Sequence, residues 1–329
     1  MLLALLAPCL HAQTGETPSP PPPAPPAPAK PAAFGNGWTA PTFRFDPTPT
    51  LQFLAHAARG EQTNLPMATA SWIALAFLAN GSTLRQGPHK KPLMAVTKQI
   101  RASIDEAGWC RVAGERVARG DQMLAALALA EAARASQYKL LLPHADQASA
   151  AATTALLAAD AAAATPPEFL LVQLRTECPD LAGVRLAKSK ELLAAGGRGL
   201  VAGKDRTTDA VLHLASLLQG AEHPAALTVA KAWPTNPAAD PWHTLAGLCA
   251  LQRTDPTTWA TETEALPRLL AARATAGPEA GSWPAAPGLD ALTTTAMFAV
   301  VVGLANHSPF AAPDPTALGG PHRVLQPGR

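Results

Sequence analysis

The sequence predicts an all-α fold, a closed α/α toroid of about six helical hairpins behind a disordered proline-rich N-terminal tail. Three observations predict it. The 329 residues include 73 alanines and 34 prolines, the best helix former beside the worst, so the two must be segregated along the chain. They are: nine prolines fall between Pro18 and Pro31, in TPSPPPPAPPAPAKP, whereas Asp121–Ser136 holds none. From Thr48 onward apolar residues recur at three- and four-residue spacing, with Gly and Pro between the runs and no convincing strand. Two kinds of helix alternate through this body.

Residues 1–12 form a signal-like segment. Met1–Leu10 is apolar, and Leu10-His11-Ala12 before Gln13 reads as a cleavage step, while Leu6-Ala7-Pro8-Cys9 is somewhat like a lipoprotein box that Pro8 breaks. No positive n-region precedes it, and a chance apolar start is the plain alternative. Residues 13–45 are predicted as a disordered tether, because proline-rich chain favours extended polyproline II and buries nothing. The expectation is export to the periplasm or cell envelope, with a possible membrane tether through the N-terminus. Residues 311–329 are expected to be a flexible C-terminal tail.

The body, 46–310, then pairs a more charged outer helix with an inner one rich in Ala and Leu, six times. Leu51–Arg59 precedes Ala68–Ala79, Lys91–Ile104 precedes Gln122–Ala133, and His144–Ala163 precedes Phe169–Cys178. Leu181–Ala195 precedes Thr207–Leu218, Pro224–Trp233 precedes Trp242–Leu251, and Trp259–Ala274 precedes Leu292–Leu304. Helices apolar on every side belong in an interior, and amphipathic ones keep one wet face. Six hairpins are too many for one compact bundle. They form either an open solenoid or a closed ring, and inner helices apolar on both faces favour closure, since an open solenoid would leave one face of each wet.

Charge and cysteine usage remove whole classes of function. Net charge is +2, with 26 basic against 24 acidic residues, so a nucleic-acid footprint is missing. No apolar run reaches the roughly 18 residues of a membrane span. Cys9, Cys110, Cys178 and Cys249 form no Cys-x-x-Cys pair or zinc-ribbon spacing.

Met67–Trp109, with TASWIALAFLANGSTLRQGPHKK leading to Glu106-Ala107-Gly108-Trp109, resembles the prenyltransferase and squalene-cyclase type repeat of exported proteins. Asp240–Leu304 is similar again: Asp240-Pro241-Trp242 opens an inner helix, and Gly277-Pro278-Glu279-Ala280-Gly281-Ser282-Trp283 leads to Thr293-Thr294-Thr295-Ala296-Met297. The resemblance implies the α6/α6 toroid of terpenoid cyclases and protein prenyltransferases.

The chemistry of that family is not legible here. Cyclisation needs clustered aspartates and an aromatic cavity; the twelve aspartates never stand closer than four residues, and aromatics are 5% of the chain with Tyr138 the lone tyrosine. For a prenyltransferase zinc, the nearest candidates are Asp240, His243 and Cys249, with Cys178 and Asp180 apart. His243 and Cys249 lie about 240° apart around a helix, so they cannot face one ion. His243 then reads as a polar residue at a helix start and Cys249 as a small core residue. The Cys-Gly-Glu-Gln step of thioester domains and the Gly-x-Ser-x-Gly elbow are both missing. Glycan hydrolysis needs two carboxylates across a cleft. Asp121, Asp209, Asp240 and Asp290 at inner-helix starts, with Glu279 in a loop, are the rim or cavity candidates, against the plainer reading of Asp121, Asp240 and Asp290 as helix caps. Trp109 and Trp283 read as wedges between repeats.

The expected function is a non-catalytic, exported binding or scaffold module, with no cofactor or metal and an unidentified protein, peptide or envelope ligand as partner. The alternative is an envelope enzyme acting on glycan or lipid with carboxylates at the toroid mouth.

Overall fold

The computed structural model describes residues 46–59, 64–158, 161–177, 189–219, 239–254 and 266–307. The expected signal-like segment, tether, C-terminal tail and the outer helix Pro224–Trp233 lie outside them, as do Cys178 and Asp180.

The described chain is mostly helical. Six Ala- and Leu-rich helices fall where the inner set was expected: α2 Met67–Ala79, α4 Arg119–Ser136, α6 Pro166–Glu177, α8 Arg206–Gln219, α9 Pro241–Thr254 and α11 Ala291–His307. Between them run α1 Thr48–Ala57, α3 Lys90–Ala102, α5 Leu142–Leu157, α7 Ser189–Gly196 and α10 Leu266–Ala271. The difference in character is physical. In α3, Pro92, Leu93, Val96, Thr97 and Ile100 form one buried stripe. In α2 every residue except Ala68 is buried, and Thr293–Leu304 of α11 are buried without a break.

Each large apolar side chain so buried contributes roughly 1.5–3 kcal/mol. Burial this continuous in α2 and α11 requires neighbours on both sides. Helix α2 packs on α4, α4 on α6, α6 on α8, α8 on α9, α9 on α11, and α11 on α2. Small residues set the closest approach: a Cβ added at Gly303 would lie 2.7 Å from the Ala79 methyl. Asn80 ends α2 and fastens it to α11, its amide donating to the Ala76 carbonyl at 2.8 Å and the Ala299 carbonyl at 3.0 Å.

Two features differ from the sequence reading. A small antiparallel hairpin, β1 Arg111–Val112 with β2 Glu115–Arg116, stands where no strand was expected. Ala113 and Gly114 both have positive φ, 52° and 87°, the two-residue turn that right-twisted strands require. The third outer helix also stops at Leu157 rather than Ala163. Ala158 turns out of the helix with ψ 140°, and Ala162 and Ala163 instead offer their carbonyls to Arg119, at 2.8 and 3.1 Å. Pro166 and Pro167 follow within four residues, and a residue before proline is driven from helical backbone.

Two turns that carry a glycine and a tryptophan, Gly108-Trp109 and Gly281-Ser282-Trp283, do the same work at two places. After α3, Gly108 (φ +87°) presses on α5, where a Cβ would lie 2.3 Å from the Gln147 carbonyl oxygen. After α10, Gly281 (φ +94°) presses on α1, where a Cβ would lie 2.4 Å from the Pro49 carbonyl carbon. Each turn is then tied to an inner helix, the Cys110 amide donating to Gln122 Oε1 at 2.7 Å and the Trp283 amide to Thr295 Oγ1 at 2.9 Å. Trp283 is buried against Phe298, with ring centroids 5.5 Å apart, and its indole N–H donates to the Leu269 carbonyl at 2.8 Å. Trp109 is only half-buried and carries the Arg116 guanidinium 4.3 Å above its ring. Trp283 therefore packs as a wedge, whereas Trp109 lies against Arg116 of the β1–β2 hairpin.

Gly281→Ala combines left-handed strain with collision against backbone, so urea denaturation should show a loss of about 2–4 kcal/mol. Gly277→Ala, at φ +80° with nothing within 4 Å, should lose only about 1 kcal/mol from strain. Equal losses would show that the contact with α1 does not hold the turn.

Candidate functional site

Inner helices begin side by side, and their first residues bond one another. Thr69 Oγ1 of α2 lies 2.7 Å from Thr293 Oγ1 of α11. Arg119 at the start of α4 forks onto Glu168 at the start of α6, with both N–O distances 2.9 Å. The Thr207 hydroxyl of α8 donates to Asp240 Oδ2, before α9, at 3.0 Å. Helix starts leave backbone N–H groups without intrahelical partners and carry partial positive charge, so acidic and hydroxyl side chains gather there.

Most of the acids are engaged by those groups. Asp290 Oδ1 accepts the Thr293 amide at 2.7 Å and its Oδ2 the Thr293 hydroxyl at 3.0 Å. Asp240 Oδ1 accepts the His243 amide at 3.0 Å, which leaves Oδ2 for Thr207. Asp209, in the first turn of α8, accepts the Gly203 amide at 2.6 Å. Asp121 sits in the first turn of α4, whose cap position is Ala118; it is not a cap, and burial pushes its carboxyl above the usual range. Glu279 is exposed in the turn after α10.

Sequence reasoning missed Asp205. Its Oδ1 accepts the Thr208 amide and its Oδ2 the Thr208 hydroxyl, both at 2.7 Å. Burial acts to raise this carboxyl, but the Thr208 hydroxyl and amide outweigh it and hold it below the ordinary value. The signal was present: Asp205-Arg206-Thr207-Thr208 has the Asp-x-x-Thr spacing of Asp290–Thr293. Glu168 was also missed, although Thr165-Pro166-Pro167-Glu168 is a capping box by spacing. Its carboxylate accepts the Thr165 amide at 2.7 Å.

Where α6, α8 and α9 begin, a cleft of about 310 Å³ opens, lined by Pro166, Pro167, Asp205, Thr207, Ala239, Asp240, Pro241, Trp242 and Pro287. Its prolines follow from helix-start chemistry, since Pro166, Pro167 and Pro241 occupy first-turn positions where a missing N–H costs nothing. Of the sequence candidates, only Asp240 lines it. His243 is buried beneath, within the field of Asp240, Arg206, Asp205 and Asp209, while Asp121, Glu279 and Asp290 stand elsewhere. Trp242 continues inward, meeting Trp72 of α2 edge to face at 5.5 Å.

Among the described residues no group of three or more His, Cys, Asp or Glu side chains is placed to hold a metal ion, and no helix is long and apolar enough to cross a membrane. Cys110 and Cys249 are buried and stand outside any disulfide, and burial pushes the Cys110 thiol up to about 11, far from a nucleophile's range. Compared with protein families, curated proteins and solved structures, the chain matches none of them.

If these acids are caps, Asp290→Ala should cost about 1 kcal/mol in denaturant unfolding and Asp290→Asn much less. A pH dependence follows from the histidines. Burial holds His243 below the ordinary imidazole value, more than Asp240 raises it, and burial lowers His89 and His144 as well. The unfolded chain therefore binds protons near pH 6.5 while the folded histidines stay neutral. Stability is full above that pH and is lost as pH falls through the lower folded values. Thermal unfolding between pH 7.5 and 5 should show Tm falling, with a shallower fall in His243→Asn.

Proposed function

We propose that the chain is an exported, non-catalytic binding or scaffold module built on a closed α/α toroid like that of terpenoid cyclases and protein prenyltransferases. The observation that carries it is the commitment of the inner-helix starts to structure. Asp205, Asp240 and Asp290 each use both carboxylate oxygens as acceptors in cap or inter-helix bonds, a structural task that would be given up if either oxygen took up and released a proton as general acid or base. Closure of the ring is supported by the order of contacts, in which α11 returns to α2, and by the Thr69–Thr293 contact between first and last inner helices. A filled centre is supported by Trp72 and Trp242, which meet although α2 has α4 and α11 as its inner-helix neighbours. Fully buried Phe77, Phe169 and Phe298 on inner helices support it too. A filled centre favours presentation of an outer surface over enclosure of a lipid. Export rests on the signal-like segment 1–12, and the partner is a protein, peptide or envelope ligand.

Two measurements test this. Cysteines at Thr69 and Thr293 should oxidise to a disulfide joining the first and last inner helices, visible as faster migration without reductant. A folded protein that never forms the link would be an open superhelix. Native mass spectrometry of protein purified from its own envelope should show the bare chain mass; a retained polyprenyl molecule would overturn the filled-centre reading.

A further inference from the structure

We propose that the cleft where α6, α8 and α9 begin docks this chain's own proline-rich segment, residues 18–31, with Lys30 set against the carboxylates of Asp205 and Asp240. The proposal goes beyond a general binding role and does not depend on ring closure.

The walls specify the ligand. They are lined by half-buried Pro166, Pro167 and Trp242 and by exposed Pro287, with Pro241 buried behind them. Proline-rich ligands dock against aromatic side chains, here Trp242, because their polyproline II form is already extended and loses little entropy on binding. The charged side chains of the lining are two carboxylates, Asp205 and Asp240. Their cap bonds leave acceptor lone pairs, since each oxygen has two. An acidic peptide is therefore disfavoured and a segment with one cation is suited. The run TPSPPPPAPPAPAKP supplies one ten-residue stretch of Pro and Ala, residues 20–29, and carries Lys30 as its single charge.

Geometry brings the segment within reach. The chain enters the fold at Asp46, whose carbonyl accepts from Arg273 Nη1 at 3.3 Å. Arg273 belongs to the same connection, between α10 and α11, that supplies Pro287 to the cleft. Fifteen residue steps lead from Pro31 to Asp46, a reach of up to about 50 Å at roughly 3.3 Å per step. A body of this size has a radius of gyration near about 18 Å. Covalent attachment also gives an effective concentration of about a millimolar, so a weak contact suffices.

The test uses the full chain at low concentration. Carbodiimide should join Lys30 to Asp205 or Asp240 within one molecule, mapped by peptide mass spectrometry. The link should vanish in Lys30→Gln and fall several-fold in Pro25→Asp/Pro26→Asp, which alters no residue of the body. A photo-cross-linking amino acid at Ala27 tests the apolar walls without relying on carboxylate reactivity, and should mark Trp242, Pro167 or Pro287. Photo-products confined to other surfaces, together with no Lys30 link to either carboxylate, would overturn the proposal. So would links found only between two molecules and rising with concentration, which would assign the cleft to a second copy.

Discussion

Helices that are apolar on every side have no face to give to water, and the rest of this structure answers that constraint. For α2 and α11, burial is nearly continuous along the helix. A helix can be covered all round only by helices beside it and behind it. The outer helices supply the cover behind, and the neighbouring inner helices supply the sides. Alanine and glycine at the contacts, such as Ala79 against Gly303, let the backbones approach closely and increase the dispersion contact per residue.

Setting inner helices side by side creates a second problem at their starts. Partial positive charge and unpaired N–H groups collect in one region that is partly buried. The acids there are best understood as the response. Asp205, Asp240, Asp290 and Glu168 accept amides at helix starts, and two of them also bridge to a neighbouring helix. Asp240 and Asp290, which the sequence alone would offer as catalysts, are used to fasten helix starts. Proline at first-turn positions solves the N–H problem differently, by removing the donor, and leaves an apolar wall behind.

How far the sequence could be read differs by feature. All six inner helices were legible within a few residues because their signal, continuous Ala and Leu bounded by Gly, Pro or Asp, is local. The Ala-rich run after Leu157 was misread for the opposite reason. Alanine propensity favours helix by only tenths of a kcal/mol per residue, and the Arg119 bonds to Ala162 and Ala163, with two prolines following, outweigh it. The β1–β2 hairpin was missed because Ala113 is a poor predictor of the positive φ it adopts. At the site, Asp240 and His243 were recognisable from their place at a helix start. The cleft was not, because Pro167, Asp205, Trp242 and Pro287 are drawn from four separate stretches.

By itself the sequence determined which segments are helical, which of them are apolar all round, and that a proline-rich stretch precedes them, since these depend on propensity and periodicity along a short window. Only the tertiary structure decided which helix lies beside which, that α11 packs on α2, and which carboxylates are spent on caps. It also decided that two carboxylates, a tryptophan and four prolines share one cleft. Those outcomes depend on contacts between distant residues, such as Thr69 and Thr293, 224 positions apart, and no local pattern encodes a partner at that distance.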